Sequence, residues 1–327
     1  LAGRQQHAVN PMSALDCALH TSRSWKGEDF ALLPLLLHAT AGRAGRFVEL
    51  GAYTGIDFSN TLVLEKCFGW HGLLIEANMA NFRKLRHSGR SADMRRSAIC
   101  AGRGMRGQTV NITRAGLAVA GQVETMSAEF LKNERRGDDL TTEAVPCQSL
   151  DSLIMRSSLA TQSIDFLSLD VEGAEYEVLK HANPRAFSIV LVETQGGSRM
   201  TREKNRAVDR LLRSSGLELA RDLTVPSSSV YVKPELQPAS SRPPSPLLIP
   251  GARPGYCAPT RDRVAGDCDA GSKGSWRLSR FKRFNVSSCI HRCRAECKRC
   301  RYVTVSLQAK DCSWYAECDL EQLADAG

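Results

Sequence analysis

The stretch Phe47-Val-Glu-Leu-Gly51-Ala-Tyr-Thr-Gly55 decides the fold of this 327-residue chain. Its first residues form a short apolar run that is typical of a buried β-strand, and the two glycines then allow a tight turn. A helical pattern follows at residues 59–67, and a second apolar run, Gly72-Leu-Leu-Ile-Glu76, comes after it. A strand, a helix and another strand in this order predict a βαβ unit with parallel strands.

The same alternation continues along the chain. Further helix and strand patterns occur in turn at residues 78–87, 164–170, 173–181, 187–193 and 202–214. We therefore predict an α/β fold in which helices cover both faces of a mostly parallel sheet. A last strand at residues 230–233 is expected at the edge of that sheet.

Proline marks the boundary between two parts of the chain. Seven of the 13 prolines fall within residues 234–255, a density that neither a helix nor a central strand tolerates. We interpret this segment as a Pro-rich linker. It separates a domain at residues 46–233 from a cysteine-rich module at residues 256–327. Residues 1–45 are expected to form a helical or irregular N-terminal extension.

Charge and cysteines concentrate after the linker. The chain has a net charge of +9, and residues 252–327 alone hold 14 basic against nine acidic residues. Eight of the 12 cysteines also belong to this part. The hydrophobic fraction of 42% is ordinary for a globular protein and excludes a disordered or fibrous chain. No apolar run reaches the roughly 18–20 residues of a membrane helix, so we expect no membrane span in these residues. Because the sequence begins at Leu1 rather than Met, it leaves room for a targeting segment upstream.

The glycine turn differs from the known phosphate-binding loops. Gly51 and Gly55 lack the third glycine of a dinucleotide-binding loop and the Gly-Lys-Ser/Thr of a P-loop. Both differences argue against a bound diphosphate, which needs free N–H groups at a helix start. Glu76 ends the second strand 25 residues after Gly51, where an acidic side chain commonly binds a ribose. The pattern favours a nucleoside that carries a positive charge.

Two blocks of sequence resemble FkbM-type methyltransferases. The first runs from Phe47 to Lys66 and continues as Gly69-Trp-His-Gly-Leu-Leu-Ile-Glu-Ala-Asn78. The second consists of Val145-Pro-Cys-Gln-Ser-Leu-Asp-Ser-Leu-Ile154 and Ile164-Asp-Phe-Leu-Ser-Leu-Asp-Val-Glu-Gly-Ala-Glu-Tyr-Glu-Val-Leu179. Together the blocks span about residues 46–195. The resemblance implies a Rossmann-like class I methyltransferase fold, with seven strands of which the last is antiparallel, and S-adenosylmethionine as cofactor.

The resemblance also implies roles for individual residues. The cofactor-binding residues would be Glu49, Gly51, Tyr53, Gly55, Glu76 and Ala98. The first four would wrap the methionine part, Glu76 would take the ribose hydroxyls, and Ala98 would lie near the adenine. One departure is Ala77, which stands where a proline commonly follows the ribose-binding glutamate. We expect this departure to shift only the turn that follows.

Three carboxylates are candidates for catalysis. Asp170 and Glu172 follow one predicted strand and Glu193 ends the next, so all three should reach the sheet edge where ligands bind. A carboxylate there can take the proton of a hydroxyl group that accepts a methyl group. A divalent metal on Asp170 is the alternative, but we expect no metal site. His71 and His181 are single residues without metal-ligand spacing.

The cysteine-rich module has its own pattern. Cys289, Cys293 and Cys297 recur every four residues, so a helix would place them on one face. This predicts a helix stapled by disulfides to a small sheet, and the module weakly resembles apple/PAN modules. Zinc is the alternative, since Cys297 and Cys300 form one Cys-x2-Cys pair, but the second pair of a zinc ribbon is missing. Disulfides would place the chain in the secretory pathway, in the lumen of the ER or Golgi, or outside the cell.

These observations predict an S-adenosylmethionine-dependent methyltransferase that O-methylates a glycan or another hydroxyl-bearing acceptor. The basic module would bind an anionic glycan or a protein partner. The alternative is a catalytically inactive methyltransferase fold whose module binds glycan or protein partners. A nucleic-acid methyltransferase would account for the positive charge. The chain has no Asn/Asp-Pro-Pro-Tyr element and no recognisable RNA-binding module, so we expect no nucleic-acid partner.

Overall fold

The protein folds as two compact units. The larger unit comprises Arg23–Pro243, and the smaller unit comprises Leu1–Ser22 together with Pro244–Gly327. A computed structural model describes residues 14, 17–18, 20–100, 108–113, 142–160, 162–194, 199–221, 223, 225, 227–237, 256–257, 266–277, 286–306, 311–320 and 322–323. Residues 238–255 of the predicted linker lie outside this description. Within these residues, no helix is both long enough and apolar enough to cross a membrane.

Strands and helices alternate through the larger unit. The described strands are β1 (Arg46–Leu50), β2 (His71–Glu76), β3 (Asp93–Arg96), β4 (Ala98–Ile99), β5 (Thr109–Thr113), β6 (Thr142–Gln148), β7 (Ile164–Leu169), β8 (Phe187–Glu193), β9 (Glu218–Leu219) and β10 (Ser228–Val232). The described helices are α1 (Glu28–Ala39), α2 (Leu62–Phe68), α3 (Met79–Arg86), α4 (Leu150–Met155), α5 (Glu175–Lys180) and α6 (Arg199–Ser214). This order confirms the predicted βαβ units. Helix α1 falls within the predicted N-terminal extension, and it belongs to the same compact unit as the sheet.

Seven strands form the main sheet, in the order β3-β2-β1-β7-β8-β10-β9. The first five strands of that order run parallel, and β10 is antiparallel to β8. The predicted Rossmann-like α/β sheet is thereby confirmed. The predicted edge position of the last strand is wrong, because β9 pairs with β10 on its outer side. A strand of two residues, Glu218–Leu219, is too short to show any alternation in the sequence.

Both faces of the central strands are covered. All six residues of β7 are buried, although successive side chains point to opposite faces of the sheet. The helices that provide this cover have ordinary start signals. The Asn78 side chain accepts a hydrogen bond from the Asn81 N–H at the start of α3, and Ser149 caps α4 in the same way through the Ser152 N–H.

A small sheet of order β4-β6-β5 follows the third strand of the main sheet. Strand β4 pairs with β6 in parallel, and β5 pairs with β6 antiparallel. A disulfide between Cys100 and Cys147 fastens the end of β4 to β6. Ala98, Ile112 and Val145 pack around this link. The sheet therefore holds Ala98 and its neighbour Ile99 in fixed positions beside the main sheet.

In the smaller unit, the described residues from 256 onward form one three-stranded sheet and one helix. Its elements are β11 (Lys273–Arg277), α7 (Val286–Glu296), β12 (Tyr302–Ser306) and β13 (Asp311–Tyr315), with the strands in the order β11-β13-β12. Its disulfides join Cys257 to Cys318, Cys268 to Cys297, Cys289 to Cys312 and Cys293 to Cys300. The bond from α7 to β13 confirms the predicted helix stapled to a small sheet. All twelve cysteines of the chain are disulfide-bonded, so the zinc alternative is wrong.

Candidate functional site

A cavity of about 350 Å³ opens at the carboxyl ends of the parallel strands. Ligands of open α/β sheets bind at this edge. Eight of the nine predicted site residues line the cavity: Glu49, Gly51, Tyr53, Glu76, Ala98, Asp170, Glu172 and Glu193. The exception is Gly55, whose carbonyl instead accepts a hydrogen bond from the buried Arg90 side chain (2.7 Å). The structure therefore brings together residues that lie as far apart in the sequence as β1 and β8.

Gly51 allows the turn after β1 to pass close to the end of β7. Its φ of 85° lies in the left-handed region, and a Cβ atom at this position would lie 1.7 Å from the Asp170 carbonyl oxygen. The N–H groups of Gly51 and Ala52 both donate to the Ile75 carbonyl, at 3.1 Å. Only glycine fits here, and its backbone forms part of the cavity wall.

Glu76 is buried at the end of β2 with its carboxylate turned to the turn after β1. One oxygen accepts the Tyr53 N–H at 2.8 Å, and the other accepts the Asn78 N–H at 2.8 Å. Burial raises the pKa of Glu76 to about 7, although these N–H donors oppose the rise. Glu76 also lines the cavity, so its carboxylate is placed to accept a hydrogen bond from a ribose hydroxyl.

Glu49 lines the cavity, but its carboxylate oxygens accept hydrogen bonds from the segment that leads into α2. It accepts hydrogen bonds from Ser59 Oγ (2.8 Å), the Asn60 N–H (2.8 Å) and Thr61 Oγ1 (2.7 Å). A buried carboxylate with three donors is well satisfied. In this structure Glu49 holds residues 59–61 against the cavity, and its predicted contact with the cofactor stays a prediction.

Arg90 supports the same segment and is not among the predicted site residues. Its side chain is fully buried and donates to the Glu65 carboxylate at 2.8 Å. It also donates to Ser59 Oγ at 3.1 Å and to Thr61 Oγ1 at 2.9 Å. Arg90 has no recognisable motif around it, and its partners lie 25 to 31 residues earlier in the chain. No pattern in the sequence points to it.

The three predicted catalytic carboxylates form an acid cluster. Oxygens of Asp170, Glu172 and Glu193 all lie within 4.8 Å of one another. Burial, and then the charges of Asp170 and Glu172, raise the pKa of Glu193 to about 10. Burial also raises the pKa of Asp170, which opens to the cavity on one side, and a hydrogen bond from Glu193 opposes that rise. At neutral pH Glu193 is therefore protonated and donates to the Asp170 carboxylate.

The acid cluster has the oxygens and the spacing to hold a cation as well as a shared proton. The proton on Glu193 relieves the repulsion between neighbouring carboxylates without a metal. Our expectation of no metal site therefore stays a prediction. Next to the cluster, Glu175 accepts the N–H groups of Val171 (3.2 Å) and Gly173 (3.0 Å) and so holds the turn that carries Glu172. Sequence analysis did not single out Glu175.

The cavity fits the cofactor that the resemblance implied. Ala98, Ile99 and Ile112 form an apolar wall suited to an adenine ring, and Glu76 stands beside it for the ribose. Asn60 also lines the cavity, and among the described residues its buried Oδ1 atom has no hydrogen-bond partner. A buried acceptor of this kind is suited to a donor such as the ammonium group of S-adenosylmethionine.

Several solved methyltransferase structures align with this chain at low sequence identity. Among solved structures, a methyltransferase FkbM from Methylobacillus flagellatus aligns at 11% identity and a TM-score of 0.33, over 67% of this chain and 58% of that chain. An O-methyltransferase from Bacillus cereus in complex with SAH aligns at 13% identity and a TM-score of 0.34, over 70% and 92%. The O-methyltransferase TomG from Streptomyces achromogenes in complex with SAM aligns at 13% identity and a TM-score of 0.31, over 71% and 92%. A search of curated proteins found no match.

The decisive comparison is at the level of the sequence family. The methyltransferase FkbM domain matches residues 49–219, which is more than half of the chain. The matched region contains Gly51, Glu76 and the acid cluster. It supports S-adenosylmethionine as the cofactor. The chain belongs to the methyltransferase FkbM domain family.

Proposed function

We propose that this protein is an active S-adenosylmethionine-dependent methyltransferase that methylates a hydroxyl oxygen of a glycan or a similar acceptor. The observation that carries the proposal is the position of the Asp170–Glu193 pair. It lines the same cavity as Gly51 and Glu76, which are suited to the cofactor. A proton acceptor and a cofactor pocket in one cavity are what transfer to a hydroxyl requires.

When bound, S-adenosylmethionine supplies a methyl group that its sulfonium already activates. The protein's own part is to position and to move a proton. Glu76 would hold the ribose hydroxyls, and Asn60 would accept from the ammonium group. The turn at Gly51 lets the backbone approach the ligand closely because it carries no side chain.

Asp170 is the base in this proposal. Glu193 keeps its proton at neutral pH, because its pKa is raised to about 10, and its hydrogen bond lowers the pKa of Asp170, which is therefore the more acidic partner of the pair. Asp170 would take the proton of the acceptor hydroxyl as the methyl group moves to that oxygen, and the electron pair of the broken carbon–sulfur bond would stay on the sulfur of the cofactor. Burial raises the pKa of this carboxylate, which makes Asp170 a stronger base than a solvated aspartate.

Two measurements on the full chain test the proposal. Isothermal titration should show S-adenosylmethionine binding, and transfer of a labelled methyl group to a glycan panel should show turnover. Asp170→Asn should lower kcat by about 10² to 10⁴-fold, the usual contribution of a general base. It should leave cofactor affinity within about threefold, well under 1 kcal/mol.

Glu177→Gln, an acid-to-amide change on the exposed face of α5, is the matched control. Binding of the cofactor without transfer to any acceptor would favour the inactive fold as the function. If the protein did not bind S-adenosylmethionine, the proposed function would be wrong.

The same proposal includes a place and a partner for the smaller unit. Many disulfides fit a secreted or lumenal protein, and we propose that the enzyme acts in the secretory route.

Four basic side chains are exposed on and after α7: Arg294, Lys298, Arg299 and Arg301. Such a group of cations suits an anionic glycan. Binding to sulfated glycan should weaken steeply with salt and with the change of Arg299 and Arg301 to Ser; binding that resists both changes would contradict it.

A further inference from the structure

Two aromatic side chains are exposed at the cavity although most large apolar residues of the larger unit are buried. Trp25 is 57% exposed and Phe58 is 47% exposed, and both line the cavity. We call this pair the aromatic rim. By contrast, Trp70 and Phe47 are buried within the same unit. Exposed aromatic rings at the mouth of a pocket indicate a surface that is covered when a ligand binds.

The backbone at Phe58, and at Tyr53 beside it, is held in an uncommon conformation. Phe58 has a φ of 62° and Tyr53 a φ of 48°, a region that side-chain-bearing residues rarely adopt. The two rings stack with their centroids 5.9 Å apart and an interplanar angle of 14°. The Phe58 N–H donates to the Arg23 carbonyl at 2.9 Å, which brings the segment before α1 beside it. Uncommon backbone conformations of this kind concentrate at ligand sites.

The segment before α1 is also anchored. The Lys26 N–H donates to the Glu28 carboxylate at 2.7 Å, and the Lys26 ammonium donates to Ser227 Oγ. The same ammonium lies 4.2 Å from the centroid of the Trp25 ring, over one of its faces. The aromatic rim is therefore held by a backbone hydrogen bond at Phe58 and by a cation at Trp25.

The charge of the cavity limits what the aromatic rim can accept. Seven carboxyl groups line the cavity, and none of its described lining residues is Lys, Arg or His. Two of the seven, Glu28 and Asp57, belong neither to the acid cluster nor to the predicted cofactor-binding residues. Inside the cavity these carboxyl groups would repel a phosphate, sulfate or carboxylate on the acceptor, whereas the Lys26 ammonium at Trp25 is not part of the cavity lining and donates to Ser227 Oγ. Neutral hydroxyl groups, in contrast, can donate hydrogen bonds to these carboxylates.

We propose that the aromatic rim is the acceptor subsite and that it takes an uncharged sugar ring, with a C–H face on the aromatics and hydroxyls toward the carboxylates. This inference rests on the proposed function. It narrows the acceptor from any hydroxyl-bearing compound to a neutral pyranose. It assigns acceptor recognition to Trp25 and Phe58, while Asp170 remains the base and Glu193 remains its protonated partner.

The test uses the full chain and defined probes. Methyl glycosides of glucose, galactose and mannose are compared with methyl glucuronide and methyl galacturonide, by ligand-observed NMR and by transfer of a labelled methyl group. We expect binding and methylation of at least one neutral glycoside, and at least tenfold lower kcat/KM for its uronide. An equally good uronide, or no bound neutral glycoside, would overturn the inference.

Variants separate acceptor recognition from cofactor binding. Trp25→Ala should raise KM for the neutral glycoside at least tenfold, and Trp25→Phe should restore most of the loss. The cofactor dissociation constant should stay within twofold in both. Met155→Ala removes an equally exposed apolar side chain outside the cavity and should change neither constant.

An unchanged KM in Trp25→Ala would also overturn the inference. These results are distinct from a failure of the proposed function. In that case the unaltered protein would not bind S-adenosylmethionine or would transfer its methyl group to no acceptor.

Discussion

Carboxylates at equivalent strand ends acquire different roles from their surroundings. Glu49 accepts three hydrogen bonds from protein donors and supports the chain before α2. Glu76 accepts the Tyr53 and Asn78 N–H groups and lines the cavity at the end of its strand. Glu193 has three acidic neighbours and keeps its proton. The residue type is the same in each case, and the local donors and charges decide what it can do.

Glu76 leads to a prediction about pH. Its pKa of about 7 means that it is largely protonated at pH 6 in the free protein, whereas ribose hydroxyls need the carboxylate as acceptor. Cofactor binding must then release a proton, so affinity should rise with pH up to about 7 and level off above it. Glu76→Gln should bind at least about tenfold more weakly at pH 8, and the step near pH 7 should vanish. Titration calorimetry in two buffers of different ionisation enthalpy measures both effects. A step that persists in Glu76→Gln would assign it to another group.

Gly51 leads to a prediction about stability. Gly51→Ala places a Cβ atom 1.7 Å from the Asp170 carbonyl, so the turn and the end of β7 must separate. Gly69→Ala is the matched control, since its φ of 68° is also left-handed but nothing lies within 4 Å of the added atom. Both should lose about 1–2 kcal/mol from the backbone alone. Gly51→Ala should lose at least about 2 kcal/mol more and most of its cofactor affinity. Equal denaturant midpoints for the two variants would contradict this.

At the scale of elements, the cavity is built by connections between strands and loops. Residues 59–61 are held by Glu49 from β1 and by Arg90, which follows α3. Ala98 is held by β4, which is fastened to β6 by a disulfide. Neither connection is local in the chain. The wall of the cofactor pocket therefore depends on two supports that lie behind it.

The first support predicts a cost for Arg90→Met. This variant leaves the buried Glu65 without its closest cation and should destabilise the fold by about 3–5 kcal/mol. Measured below its melting temperature, it should also bind the cofactor about tenfold more weakly, because residues 59–61 lose two of their donors. Arg43→Met removes an arginine that is paired with Asp165 but half exposed, so it serves as the control. A normal cofactor affinity in Arg90→Met would show that Glu49 alone holds the segment.

The second support predicts an effect of the Cys100–Cys147 bond. It closes a loop with a sequence separation of 47, for which chain entropy alone gives about 4 kcal/mol. Changing both cysteines to Ser should lower the thermal midpoint of the larger unit and weaken cofactor binding. Changing Cys293 and Cys300 to Ser, a pair with a separation of 7, should leave cofactor binding unchanged. Equal effects of the two double variants on cofactor affinity would contradict a role for β4.

At the scale of the whole molecule, the two units differ in what stabilises them. The larger unit has a main sheet whose central strands are buried on both faces. The described part of the cysteine-rich module has a short helix, three short strands and four disulfides, with Trp276 and Trp314 stacked among them. A small core of this kind usually needs covalent links to fold.

This difference predicts distinct responses to reductant and chelator. Reductant should add the mass of one hydrogen for each of the twelve cysteines and should unfold the smaller unit. Chelator should change neither its fold nor the methyl transfer, since the cysteines hold no zinc and we expect no metal at the acid cluster. Intact mass spectrometry and near-ultraviolet circular dichroism report on the fold, and labelled transfer reports on activity. Loss of transfer in chelator, restored by a divalent cation, would place a metal on Asp170, Glu172 and Glu193.

Much of the fold follows from local patterns. Apolar runs, glycine turns and helical periodicity between residues 46 and 232 predict the parallel sheet. A strand that is buried on both faces is apolar along most of its length, so it can be recognised in the sequence. Gly51 and Glu76 are recognisable for the same reason, since each is required by the turn or strand that carries it. Cysteine spacing likewise predicts the stapled helix of the smaller unit.

The sequence by itself thus determined the class of fold, the edge of the sheet that carries the site and most of its acids. Only the tertiary structure decided the support by Arg90, the placement of the two-residue strand β9 and the meeting of Trp25 with Phe58 at one cavity. It also decided that Glu193 keeps a proton beside Asp170. The physical reason is the distance along the chain over which each interaction acts. Periodicity and turn chemistry act over a few residues, whereas burial, buried hydrogen bonds and shared protons depend on groups that packing brings together from distant parts of the chain.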